Sequence, residues 1–165
     1  MNTLDYLAQH SAIASRYAWA LDLGLKEIET LGVIDEHKVD ALTYEDLKIL
    51  EMVTSRFSKL QDHIGGKIFP LLLNIVGNDA PKQTFIDMLN KLEKIGFLED
   101  AYPWKDLRDL KNDVAHEYAY TSKELAEKIN EVIKASHFLL GYCKELQKKI
   151  EDVKSKLVEY PPFFL

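Results

Sequence analysis

From Trp104 to Tyr118 the chain reads Trp-Lys-Asp-Leu-Arg-Asp-Leu-Lys-Asn-Asp-Val-Ala-His-Glu-Tyr, which sets cations, an amide, an imidazole and a phenol at fixed offsets. An unperturbed imidazole titrates near pH 6.5 (about), so it can take a proton from one oxygen and give one to another at neutral pH. A neighbouring cation can stabilise the charge that builds on a phosphorus centre in the same step. His116 with Arg108, Lys111 and Asn112 therefore suits attack of a ribose 2'-hydroxyl on its own phosphodiester, a reaction that needs no metal. At about 100° per residue Leu107, Leu110, Val114 and Tyr118 share one helical face, and His116 points away from it. Arg108, Lys111, Asn112 and Ala115 fill the sector between. The four-residue spacings Arg108 to Asn112 and Asn112 to His116 predict a donor ladder along one strip. Small Ala115 lets another helix come close, so a site between two subunits is expected. No HExxH, paired CxxC or clustered carboxylates occur at metal-ligand spacing, so neither a metal nor another cofactor is expected.

The run Lys111-Asn-Asp-Val-Ala-His116-Glu-Tyr118 resembles the R-x4-H-x-Y motif of HepT-type toxins in the HEPN superfamily, in which an Asn commonly follows the Arg. By that resemblance His116 is the catalytic histidine, Asn112 the polar residue after the cation, and Tyr118 the motif tyrosine. Lys111 stands where the family has Arg, a point charge in place of a planar fork that grips phosphate with two bonds. The resemblance implies a homodimer whose two motifs line one cleft and an activity of metal-independent ribonuclease. It also implies a partner, a minimal nucleotidyltransferase antitoxin of the MNT type, which transfers AMP to the motif tyrosine. Tyr118 is then the candidate acceptor, with Tyr120, a second phenol in the same neighbourhood, as the alternative. An adenylyl group there would add negative charge and bulk where the RNA phosphate must bind.

Two other classes stay open. The bundle can serve as a non-catalytic partner or substrate-binding subunit of a nucleotidyltransferase, with Lys111 marking lost nuclease activity. Alternatively Asp62-His63-Ile-Gly-Gly-Lys67 places a histidine on a helix near glycine and lysine, as a phosphotransfer bundle would. No GxSxG elbow and no P-loop occurs, which sets aside triad hydrolases and phosphate-cradling loops. Glu51, Arg56, Lys59, Gln61 and Asp62 supply polar positions on an earlier helix, and HEPN proteins resemble one another in bringing such a residue near the motif.

The elements that must hold these residues are helical throughout. Apolar positions at three-four spacing predict helices over 3–31, 43–66, 81–95, 104–119 and 122–158. Gly32 and Gly96 end the first and third, Gly65-Gly66 and Pro70 weaken the second, and Pro81 suits the first position of the third. Thr121 and Glu124 form a capping-box pattern for the last helix, and Pro161-Pro162 stops it. There is no strand-like alternation and no repeat. The expectation is a single all-α domain over 1–165, an antiparallel up-and-down helical bundle of four to five helices, HEPN-like by the resemblance.

Composition narrows the setting. Of 165 residues 47% are hydrophobic and 29% charged, which is the balance of a folded globular domain. The formal net charge of -6 means that any RNA contact is local rather than a property of the whole surface. The lone Cys143 reads as a packed thiol in a reducing compartment. The first residues lack the layout of a signal peptide, and the apolar run Ile68 to Val76 is less than half a membrane span, so a cytoplasmic protein with no membrane association is expected. The apolar tail Pro161-Pro-Phe-Phe-Leu165 is expected to pack on its own bundle.

Overall fold

The computed structural model describes residues 1–78, 83–115 and 120–159, omitting the side chains of 115 and 156–159. It is an all-helical bundle. The elements are α1 (Thr3–Glu29), α2 (Glu36–Asp40), α3 (Tyr44–His63), a π-helical segment (Ile64–Ile68), α4 (Phe69–Ile75), α5 (Phe85–Lys94), α6 (Tyr102–Ala115) and α7 (Ser122–Glu159).

Local chemistry sets most of the helix starts. Asn2 and Asp5, Thr43 and Asp46, and Thr84 and Asp87 form reciprocal capping boxes, so two orphan amides at each N-terminus find acceptors. Thr121 and Glu124 do the same for α7, with Thr121 N donating to Glu124 Oε2 at 2.8 Å. Gly32 and Gly96 take positive φ after α1 and α5, a conformation that a Cβ would strain.

Three boundaries differ from the sequence expectation. The polar stretch after α1 contains α2, one short turn capped by the Asp35 side chain. The first residue of the third long helix is Phe85, because Thr84 caps it; Pro81 lies outside the described residues. The second helix is not ended by its glycines: it widens into the π segment, where Phe69 N donates to Ile64 O, and continues as α4 to Ile75. A π turn inserts one residue per turn and spreads the carbonyls, so Pro70, which lacks an N–H, fits beside it without leaving a tight α ladder broken.

The core face of each helix follows its apolar stripe. Leu7, Leu21 and Leu25 of α1 meet Val53, Phe57 and Leu60 of α3, and the stripe continues through Ile64, Ile68, Phe69 and Leu72. Leu89 and Leu92 of α5, Trp104 and Leu107 of α6 and Leu139, Leu146 and Ile150 of α7 complete it. The α7 helix, 38 residues long, passes α2, where Asn130 Nδ2 donates to Ile34 O at 2.8 Å. Among the described residues no helix is long and apolar enough to cross a membrane.

Candidate functional site

The α6 helix carries most of the residues singled out in sequence, and packing fixes which way it faces. Its first turn is pinned by Tyr102 N donating to Asp100 Oδ1 at 3.0 Å and by Ala101 N donating to Glu93 Oε2 at 2.9 Å. Trp104 and Leu107 are buried, and Leu110 and Val114 pack half-buried behind them. Arg108 and Asn112 are left exposed and Lys111 half-exposed. Asp113 reaches Lys128 of α7 at 3.6 Å, which ties the end of α6 to the long helix.

Lys111 does not stand free. Its Nζ lies 2.8 Å from Asp62 Oδ1 on α3, with the lysine side chain 19% exposed and the aspartate 59%. Of the five earlier polar positions, Asp62 is the one with an ion pair to α6 among the described residues. Next to it Gln61 is buried, and its Oε1 has no hydrogen-bond partner among the described residues. Arg108 turns the other way: its guanidinium carbon sits 4.4 Å from the centre of the Phe85 ring. That ring packs on Gly65, where an added Cβ would come within 3.3 Å of it. The expected ladder from Arg108 to Asn112 is therefore not formed, because a cation gains more over an aromatic face than beside an exposed amide.

On the expectation that Lys111 holds an RNA phosphate, that phosphate has to compete with Asp62 for it. Exposed or half-exposed pairs of this kind contribute about 0.2–1 kcal/mol, so Asp62→Asn should tighten RNA binding by up to about fivefold at low salt. Fluorescence anisotropy with a short labelled RNA measures this, and equal affinity in the variant removes Asp62 from the site.

His63 is engaged elsewhere. Its Nε2 lies 3.3 Å from His10 Nδ1 and 3.1 Å from the His10 carbonyl, so the nitrogen that a phosphotransfer reaction would use is already hydrogen-bonded. Nothing in the sequence paired His10 with His63; only the antiparallel approach of α1 and α3 does. Cys143 is packed as expected, beside a groove of about 430 Å³ between α1 and α7. Burial pushes its thiol up to about 12, which keeps it protonated at neutral pH.

His116 and Tyr118 lie outside the described residues, as does the tail from Tyr160 to Leu165. Tyr120 is half-buried. Lys128 is held above its usual value first by its hydrogen bond to Glu131, with the charges of Glu131, Asp113 and Tyr120 adding to it. Among the described residues no group of three or more His, Cys, Asp or Glu is arranged to hold a metal ion. Compared with family models, curated proteins and solved structures, the chain gives no match.

Proposed function

We propose that this protein is a metal-independent RNA endonuclease of the HEPN type, the toxin of a pair whose antitoxin is an MNT-type nucleotidyltransferase, acting as a homodimer. The observation that supports it most is the polar face of α6, which turns Lys111 and Asn112 away from the hydrophobic stripe within five residues of His116. In this reading His116 acts as general base on the 2'-hydroxyl. The 2'-oxygen bonds to phosphorus, the bond from phosphorus to the 5'-oxygen breaks, and the leaving oxygen takes a proton from the second subunit's copy of the histidine. Lys111 pairs with the negative charge on the non-bridging oxygens, and Arg108 joins it only by leaving the Phe85 ring. Tyr118 is the acceptor of AMP, which silences the cleft by charge and bulk.

The test is cleavage of a short RNA in EDTA, with the ends analysed for 2',3'-cyclic phosphate and a DNA of the same sequence as control. Cyclic ends on RNA and intact DNA are the expected pair of results; inert RNA with unmodified tyrosines sinks the proposal. Within the same assay Lys111→Ala should lose about tenfold, the scale of one charge-assisted hydrogen bond, while Lys111→Arg should keep or raise activity. Full activity in Lys111→Ala would take the lysine out of the mechanism.

One observation favours a second reading, a non-catalytic partner of a nucleotidyltransferase. The Asp62 carboxylate at 2.8 Å neutralises Lys111, the residue that would have to hold the phosphate. Under that reading the RNA stays intact in EDTA, and a nucleotidyltransferase co-purifies with the protein.

A further inference from the structure

His10 of α1 and His63 at the end of α3 are 53 residues apart in sequence and share one hydrogen-bonded bridge. His10 Nδ1 lies 3.3 Å from His63 Nε2, and the same Nε2 is 3.1 Å from the His10 carbonyl oxygen. A hydrogen on His63 Nε2 therefore faces two acceptors, the carbonyl and an unprotonated Nδ1. The imidazole centres are 5.1 Å apart, and the Tyr17 ring stands at 87° to His63. Both histidines are half-buried, at the place where α3 gives way to the π segment.

We propose that the His10–His63 pair is a proton-operated clasp between α1 and the start of the π segment, closed while the pair carries at most one positive charge and opened by the second. A first proton can go to His63 Nδ1 and leaves the Nε2–H donor in place, now charge-assisted. The second has only His10 Nδ1 to enter. It turns the acceptor into a donor and sets two donors and two like charges face to face.

Among the described residues the charges that act on His63 are positive. From the π segment Lys67 faces the pair with a further positive charge, and from α1 come His10 itself and the Tyr17 ring. Asp62, the carboxylate next in sequence, is turned to Lys111 on α6. Desolvation is the main cause that holds the His63 imidazole below its ordinary value; the hydrogen bond to the His10 carbonyl acts against it, and the charges of His10 and Lys67 act with it. In the unfolded chain a histidine titrates near its ordinary value of about 6.5, so that chain binds the proton more readily. Stability is thus full above that pH and is lost as pH falls below it. Because His63 follows Asp62, opening would also loosen the partner of Lys111; that consequence, unlike the clasp, rests on the function proposed above.

Hydrogen exchange of the full chain, read at residues 60–68 and corrected for intrinsic rates, tests the clasp. Opening linked to uptake of one proton makes exchange faster by about tenfold for each pH unit below the ordinary histidine value of about 6.5, at which the open pair takes that proton, until the closed pair takes it too. His10→Gln offers His63 a neutral acceptor that cannot take a proton, so its exchange should rise less steeply as pH falls, the remaining slope belonging to desolvated His63. A flat profile in the native protein, or an unchanged slope in His10→Gln, overturns the proposal. Should His10→Gln fold poorly, nitrogen NMR of the native imidazoles decides: two separated steps support the coupled pair, and two independent ordinary titrations overturn it.

Discussion

On the ribonuclease function proposed above, replacing His116 with alanine should lower RNA cleavage in EDTA by about 10²–10⁴-fold, the usual share of a general acid or base in a proton-transfer step. The loss should fall on kcat rather than on RNA affinity, because the imidazole acts on a proton in flight and not on the bound ground state. Lys111→Ala should behave differently, raising KM and flattening the salt dependence of binding, since its part is a charge held against phosphate. Single-turnover rates with excess enzyme separate the two effects. Equal rates for the native protein and His116→Ala would remove the histidine from the chemistry and leave the non-catalytic reading in front. The same preparations test the tyrosines: Tyr118→Phe should still cut RNA yet take up no AMP from the nucleotidyltransferase, whereas Tyr120→Phe should take it up normally.

How much of this was legible in the sequence varies with the kind of signal. Helix type and the order of the long helices were, because Leu7, Leu21, Leu25 and Phe57, Leu60, Ile64 repeat at helical spacing and become the buried faces. Starts marked by reciprocal side chains, as at Thr121 and Glu124, could also be read directly. The continuation through Gly65, Gly66 and Pro70 could not, since local propensity argues for a break and only packing of Ile64, Ile68 and Phe69 into the core sustains the π segment. The start of α5 at Phe85 is set by the Thr84 and Asp87 box, a signal that the expected start at Pro81 leaves unused.

The candidate site shows the same division. Periodicity along α6 gave the orientation of Lys111 and Asn112 relative to the leucines, because it depends on one helix alone. The partners of those residues depend on two helices at once. Asp62 could be named only as one of five polar positions, and nothing in the spacing of Arg108 pointed to Phe85. Phe85 itself reads as an ordinary core residue in the sequence, yet it rests on Gly65 and offers its face to a cation. A lysine in place of the arginine also changes what such a contact can do. A lysine closes on Asp62 as a point charge, while an arginine there could hold a carboxylate and a phosphate through different edges of its fork.

Trp104→Ala should destabilise the protein by about 3–5 kcal/mol, the cost of emptying a large aromatic site in a packed core. Trp104 is 1% exposed and stands between two rings, 4.7 Å from the centre of Phe69 and 4.9 Å from that of Tyr142, both in T-shaped contact. Tyr142 in turn donates its hydroxyl to Phe97 O at 3.0 Å, so the cluster joins α4, the connector before α6, and α7. Since a domain of this size is stable by only about 5–15 kcal/mol, the variant should lose a large part of its folded margin. Urea denaturation reads the change as a lower midpoint at unchanged slope. Trp104→Phe should cost far less than the alanine variant. The indole Nε1 has no hydrogen-bond partner among the described residues, so the phenyl ring gives up packing area but also removes a buried donor that pairs with nothing. A loss below about 1 kcal/mol in Trp104→Ala is the size expected of a surface position. Such a result would mean that α6, and with it the polar face bearing Lys111, is not anchored through this ring.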